Sequence, residues 1–421
     1  MAAGARARSR ADAPGNPPAG LAELHSTAAV RARCGMVRRW VADGRSRHFT
    51  LDEGRLDAVA GYVADVTRAA YPDLRIPCHS RWGHFFAGGI DRWDTLAARL
   101  DTDPIERARI AVDLATVSVL LDAGAGDAWR YRERETGLTF ARSEGLAVAS
   151  LAMFRAGDFS SDSRCPWRAD AVALERIDAA TLVRGLQAGP ENPLIGLEPR
   201  GALLRRLGQA LAHRPDLFGR APARPGHLVD YFLSIDGGRI SASLVLATLL
   251  EGLSAIWPSG LVLRGFPVGD AGRHPAARTD DNTDGIVPFH KLTQWLAYSL
   301  IEPLQRVGLE VAELDALTAL AEYRNGGLLV DLGVISPRAP VDPHARHDVA
   351  SELVVEWRAL TVALMDSLLG LVRARLGLDA AFALPHLLQG GTWSAGRKIA
   401  QALRPPAGPP PIAVAADGTV F

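Results

Sequence analysis

Leucines stand at every fourth position from Leu292 to Leu304 (Leu292, Leu296, Leu300, Leu304), with Trp295 and Ser299 beside them. That spacing gathers them on one helical face built for burial. The same helical period returns along most of the chain, while the alternation of strands is scarce. A chain patterned in this way must bury its core between helices, so the expected fold class is mainly α: a multi-helical body with at most a few short strands. Pro288 is expected to open the helix, where its missing N–H costs nothing, and Pro303 to end it. Just upstream, R-T-D-D-N-T-D-G (278–285) holds Asp280, Asp281 and Asp284 in an aperiodic segment at the mouth of that helix. An anchored helix that fixes a loop carboxylate is a common way to present a catalytic group. Two other uses of the segment are open: Asp284 or Thr283 as a helix cap with the other acids solvated, and calcium binding. Asp280, Asn282, Asp284 and Gly285 fit the start of an EF-hand loop, but Lys291 stands at its twelfth position instead of a bidentate Glu, and no amphipathic helix precedes it.

Further helices are expected over 21–43, from a capping box at Thr50 and Glu53 onward, and over 103–121, 146–154, 179–186, 201–212, 241–256 and 348–375, the last being the longest. Ser143 reads as the cap of the 146–154 helix. Asn325-Gly326 reads as a turn leading into one short strand. Residues 1–20, nearly all Ala, Arg, Gly and Pro, are expected as a disordered extension. Nothing like a long Ser/Gly linker divides the rest, so 21–421 is expected to form one helical catalytic unit, as one body or as two lobes with a cleft near 280–290.

Charge and cysteine usage exclude several functions. Lys plus Arg and Asp plus Glu number 47 each, so no field favours nucleic acid or anionic lipid, and neither is an expected partner. Cys34, Cys78 and Cys165 are far apart, which fits neither a metal knuckle nor a disulfide framework and suits a reducing, cytoplasmic compartment. No apolar run approaches the roughly 18 residues a membrane span requires. The eleven histidines show no H-x-H or H-E-x-x-H spacing, so neither a metal nor another cofactor is expected.

Polar groups with the chemistry of a small-molecule site collect in a few segments. In I-P-C-H-S-R-W-G-H-F (76–85), His79, Ser80, Arg81 and His84 alternate with apolar and aromatic residues, a density of donors that suits a phosphate or sugar pocket. Asp122-Ala-Gly-Ala-Gly resembles a glycine-rich turn but lacks the strand before and helix after of a dinucleotide site. Glu144, in a first helical turn, reads as a dipole-favoured surface acid or as an acid turned into a cleft. Glu322, Arg324 and Asp331 surround the Asn325-Gly326 segment. Glu356 and Arg358 are two apart on the longest helix and must find separate partners. G-G-T-W-S-A-G-R-K (390–398) imitates a P-loop, but Arg397 and Lys398 stand where Lys and Ser or Thr are needed, leaving weak anion binding only.

Together, D-L-R-I-P-C-H-S-R-W-G-H-F, A-R-S-E-G-L-A-V-A-S-L-A-M-F, E-N-P-L-I-G-L-E, D-G-I-V-P-F-H-K-L-T-Q-W-L-A-Y-S-L, E-Y-R-N-G-G-L-L-V-D-L-G-V, V-V-E-W-R-A-L-T-V and Q-G-G-T-W-S-A-G-R resemble the uracil catabolism protein 4 family, described in fungi also as uracil-regulated protein 3. The resemblance implies a place in a pyrimidine-breakdown route that passes through a ribosylurea-type intermediate and ends in urea. A fainter similarity concerns chemistry. Asp284-Gly-Ile-Val-Pro288 is similar to the D-x-x-[VL]-P motif of the queuosine salvage glycohydrolases, helical proteins resembling DNA glycosylases, and Val355-Glu356-Trp357-Arg358 is similar to their V-E-x-R. In that family the motif Asp is the catalytic carboxylate.

These resemblances imply a multi-helical, DNA-glycosylase-like fold and a metal-independent N-glycoside hydrolase acting on a small nucleoside- or nucleotide-derived substrate, ribosylurea or its 5'-phosphate. Asp284 is the implied catalytic carboxylate, with Glu144, His290 and Glu356 as candidate proton donors. Arg81, Lys291 and Arg324 are candidates for holding a phosphate, and His79, His84, Ser143, Glu322, Asp331, Arg358 and Trp393 for binding the rest of the substrate. Two alternatives stand beside this: a non-catalytic binding or scaffold protein of the pathway, and a ring-opening amidohydrolase of the same route.

Overall fold

The computed structural model describes residues 17–257, 261–342 and 345–415. The expected N-terminal extension therefore lies outside the described residues over 1–16, while its last two residues, 19 and 20, already belong to the helix Ala19–Leu24. Ten helices of nine residues or more occur among the described residues: α1 (Thr27–Ala42), α2 (Leu56–Ala70), α3 (Pro104–Leu120), α4 (Arg142–Ala156), α5 (Leu197–His213), α6 (Ala242–Leu253), α7 (Lys291–Arg306), α8 (Tyr323–Asp331), α9 (Glu352–Leu376) and α10 (Trp393–Leu403). Strands are confined to six two-stranded ribbons of two or three residues a side. The one that bears on the site pairs β1 (Ala271–Arg273) antiparallel with β2 (Ile286–Pro288). The fold is thus mainly α, as the period of the apolar residues predicts. No described helix is long and apolar enough to cross a membrane.

Helix α9, buried along most of its length, packs on α1, α2 and α8, while α7 packs on α3 and α6 and α3 leans on α4. The leucine face of α7 is fully used: Leu292, Leu296, Leu300 and Leu304 are all buried. Their apolar area, at about 25 cal/mol per Å², anchors the helix whose N-terminal end forms part of the site.

Several local expectations are corrected, each for a non-local reason. Pro288 does not open α7 but ends β2, paired with Ala271. His290, at φ 49°, turns the chain, and α7 starts at Lys291. Neither Asp284 nor Thr283 caps it. Asp270 does, its carbonyl accepting the N–H groups of Phe289 and His290 and its carboxylate that of Lys291 at 2.9 Å. Pro303 does not end α7, which runs on to Arg306. The carbonyl that Pro303 leaves without a helical donor, that of Ser299, accepts the Trp82 indole N–H at 2.8 Å, so the break is satisfied from another element.

Asn325-Gly326 is no turn into a strand but part of the first turn of α8, capped by Glu322. Gly326 is there for packing, since a Cβ would meet Trp357 Nε1 at 2.8 Å and Thr361 Oγ1 at 2.7 Å. Thr50 lies in a strand (Phe49–Leu51) rather than in a capping box, and α2 begins only at Leu56 after a 3-10 turn. The 21–43 segment is two helices, Ala19–Leu24 and α1, separated by the cap Ser26. Helix α4 starts four residues before its expected first residue, with Ser143 inside it and not as its cap.

Candidate functional site

Three helices begin around one cavity of about 230 Å³, and a fourth, α10, passes it as the continuation of a π-helical run over Leu388–Thr392. Its wall takes Arg142, Ser143 and Glu144 from α4, Lys291, Leu292 and Trp295 from α7, Tyr323 and Arg324 from α8 with the cap Glu322, and Trp393 and Arg397 from α10. The positive ends of the α4, α7 and α8 dipoles therefore face a common space. Asp122, just past the end of α3, and His79 and His84 complete one side, and Pro409, Pro410 and Val414 close another.

Asp122 is the most elaborately held acid of the wall. Ser143 Oγ lies 2.6 Å from both of its carboxylate oxygens, and Arg81 Nη1 donates to Oδ1. Arg81 is fully buried and also donates from Nε to Ser118 on α3, while its backbone N–H bonds Ser299 on α7. Arg81 thus ties Asp122 to three helices, two through its guanidinium and one through its backbone, and a charge-assisted pair of this kind fixes a carboxylate in position.

Glu322 is fixed differently. Its two oxygens accept the N–H groups of Arg324 (2.7 Å) and Asn325 (2.6 Å), which caps α8. Burial nevertheless raises its carboxyl above the usual range, against the pull of those bonds and of Lys291. Burial, and next the charge of Arg358, push the Lys291 ammonium down to about 8, although Glu322, Asp270 and Asp122 oppose the shift. Glu144 pairs with Arg397 at 3.1 Å. Both groups of the Glu322–Lys291 pair are thereby brought toward the pH range in which a proton can be exchanged.

Aromatic rings form the remaining wall. The His79 ring lies nearly parallel to Trp295 at 6.0 Å between centroids, and its Nδ1 is 3.0 Å from Gln389 Oε1. His84 stands edge-on to Trp295 and Trp393. Burial, then the charges of Arg81 and His79, hold His84 in its neutral form at ordinary pH. The Trp295 Nε1, His84 Nδ1 and Arg324 Nε atoms are buried with no hydrogen-bond partner among the described residues, and such atoms are normally paired when a polar ligand or solvent fills the space.

Of the residues singled out from the sequence, the structure brings His79, His84, Ser143, Glu144, Lys291, Glu322, Arg324 and Trp393 together on this wall. Arg81 stands immediately behind it. The others lie elsewhere. The Asp284 side chain, 36% exposed, pairs with exposed Arg278 at 3.1 Å and accepts the N–H of Thr279; it caps its own loop and does not line the cavity. Glu356 is buried between His274 Nε2 (2.9 Å) and Ser46 Oγ. The Ala276 N–H occupies His274 Nδ1, so Nε2 is the donor. Arg358 grips Asp270 through two bonds of 2.9 and 2.7 Å over the Phe289 ring. Glu356 and Arg358 thus have the separate partners that their spacing demands. His290 bonds the Leu24 carbonyl at 2.9 Å, and Asp331 holds Arg404 bidentately.

Sequence reasoning missed Asp122, Arg142, Trp295, Tyr323 and Arg397 as members of the wall. The signal for Asp122 was its place directly after the nearly all-round apolar α3, where an acid at a buried helix end needs a partner. Cys78 lies 3.6 Å from His386 Nε2, but burial pushes its thiol up to about 11, which makes it a poor nucleophile. Among the described residues no group of three or more His, Cys, Asp and Glu side chains is arranged to hold a metal ion.

The buried histidines carry a pH prediction. Burial, and next His290, push His25 down to about 4 from an ordinary 6.5. The unfolded chain then binds more protons than the fold between those values, so the stability contributed above pH 6.5 is lost as pH falls toward 4. For His25 alone the loss is on the order of 3 kcal/mol. Urea-denaturation midpoints measured from pH 7 to pH 4 are expected to fall steeply, and His25→Gln is expected to flatten the curve.

Residues 23–421 match the family described as a protein of unknown function, DUF1688. Over 412 residues the chain is 38% identical to Uracil catabolism protein 4 of Lachancea kluyveri, covering 90% of this chain and 93% of that one. It is 37% identical over 413 residues to Protein urg3 of Schizosaccharomyces pombe, covering 95% and 99%. The family resemblance read from the motifs is thereby borne out across nearly the whole chain.

Proposed function

The chain belongs to the DUF1688 family, and from that membership and the chemistry of the cavity we propose that it acts in uracil catabolism as an N-ribosyl hydrolase. Its substrate is ribosylurea or the 5'-phosphate, cleaved to urea and the sugar. The observation that carries this reading is one cavity of about 230 Å³ lined at once by Asp122, Glu144, Glu322, Trp295 and Trp393.

Cleaving a ribosyl C–N bond develops positive charge at the anomeric carbon and negative charge on the departing nitrogen. Asp122, held by Arg81 and Ser143, is the carboxylate that stabilises the oxocarbenium-like centre. Glu322, whose burial favours the protonated form, gives its proton to the leaving nitrogen, a role worth roughly 10²- to 10⁴-fold in rate. Water adds to the anomeric carbon and loses its proton to Glu144. The flat ureido group stacks against the tryptophans, while the Lys291 charge favours the Glu322 carboxylate left after proton transfer, which solvent then reprotonates. Atoms balance: one C–N bond breaks, one C–O bond forms, and water supplies both the hydroxyl and the proton.

In this reading Asp284 is a loop-capping residue. The test is urea release from synthetic ribosylurea and its 5'-phosphate by the purified chain beside Glu322→Gln and Asp284→Asn. Urea is expected from the parent chain, with a loss of about 10²-fold or more in Glu322→Gln and a rate within about twofold of the parent in Asp284→Asn. Tight binding of both compounds without turnover would leave a binding protein of the pathway instead.

A further inference from the structure

We infer that the cavity contains an anion subsite for a phosphate monoester, built on Arg324 and Arg142, and that the substrate is therefore the phosphorylated ribosyl compound. The identity of the sugar rests on the hydrolase reading above; the subsite itself does not.

Arg324 is the central observation. It is 3% exposed, lines the cavity, and forms no ion pair with a carboxylate among the described residues. Its Nη1 donates to the Gly408 carbonyl at 2.8 Å, and its Nε is buried with no hydrogen-bond partner among the described residues. Glu322 is near enough to interact with its charge, but its oxygens bond backbone N–H groups and not this guanidinium, and its burial favours the neutral acid. Burying a guanidinium without a counter-ion is costly, so a fold that keeps one on the wall of a cavity is built for a negative charge brought by a ligand.

Arg142 converges on the same spot. It is the first residue of α4, its Nη2 donates to the Ala407 carbonyl at 3.1 Å, and its acidic neighbour Asp127 is largely exposed and 3.4 Å away. Because carbonyls 407 and 408 are consecutive, the two guanidiniums reach the same short stretch of the rim from two different helices. Ala141, the N-cap of α4, offers no side chain to the first-turn N–H groups there, which adds the positive end of a 15-residue helix to the same place. Two forks approaching from different directions suit the tetrahedral array of three phosphate oxygens better than the single plane of a carboxylate.

The test begins with calorimetric titration of inorganic phosphate, and separately acetate, into the full chain. Saturable binding of phosphate but not acetate is expected, weakened about tenfold or more in Arg324→Gln and severalfold in Arg142→Gln. In urea release, kcat/KM for the 5'-phosphate is expected to exceed that for unphosphorylated ribosylurea by about 100-fold, with the gap closing in Arg324→Gln. Absence of phosphate binding to the parent chain, equal binding of acetate, or unchanged phosphate affinity in both variants overturns the subsite, and the first two arms need no variant to fold. Phosphate binding that is lost in the variants, with no urea from either compound, upholds the subsite and removes the hydrolase reading alone. Equal cleavage of both compounds without phosphate binding does the reverse.

Discussion

Asp122→Asn is expected to lower urea release by about 10³-fold, the size of effect seen when a preorganised electrostatic group is removed from a reacting centre. The substitution keeps the shape and leaves Ser143 a hydrogen-bond partner, so the cavity should retain its form. What it removes is the charge that faces both Arg81 and the proposed oxocarbenium centre. Because Arg81 then stays buried without its counter-ion, the variant is also expected to unfold at lower temperature. The two effects separate in one experiment: turnover is measured on protein whose circular dichroism matches the parent well below its melting point, with binding of the 5'-phosphate as the control. Loss of kcat with little change in binding is the expected pattern; a rate within tenfold of the parent would remove Asp122 from the mechanism.

The largest stability effect is expected at a residue outside the cavity. Asp270 holds Arg358 bidentately, takes the first N–H of α7 and, through its carbonyl, the N–H groups of Phe289 and His290. Burial alone would raise its carboxyl; the Arg358 charge and these bonds outweigh that and keep it below the usual range. Asp270→Ala leaves a buried guanidinium and an uncapped helix, an expected loss of about 3–5 kcal/mol in urea denaturation. Replacing both partners, Asp270→Leu with Arg358→Met, is expected to recover most of it, because no charge is then stranded. A single variant as stable as the parent would show that the pair is not what fixes the start of α7.

What was legible in the sequence follows from which interactions are local. Helices such as α3, α7 and α9 announce themselves by the period of their own apolar residues, and the family by motifs spread along the chain. The fourteen candidate residues came from dense polar motifs, and those on loops or first turns beside the cavity fell together. Asp284 drew notice as part of a run of acids, yet its partners, Thr279 and Arg278, are its own neighbours. Asp122 sits in a stretch of alanine and glycine and acquires its setting from Arg81, 41 residues earlier, and Ser143, 21 later. The same holds for α7: its cap is 21 residues upstream and the partner for its broken carbonyl is Trp82. Propensity rules weigh neighbours and cannot register such pairings. Gly326 misled for a related reason, since close helix packing and a tight turn select the same residue.

The wall formed by Pro409, Pro410 and Val414 is fastened by Arg404 to Asp331 and by the guanidiniums of Arg142 and Arg324 to carbonyls 407 and 408. Every other side of the cavity is encoded upstream of residue 398, so during synthesis the helices can be in place while this side is still missing. The cavity then closes only once residue 414 has cleared the ribosome, and a nascent chain stalled before that point holds the acids and the rings but presents them to open water.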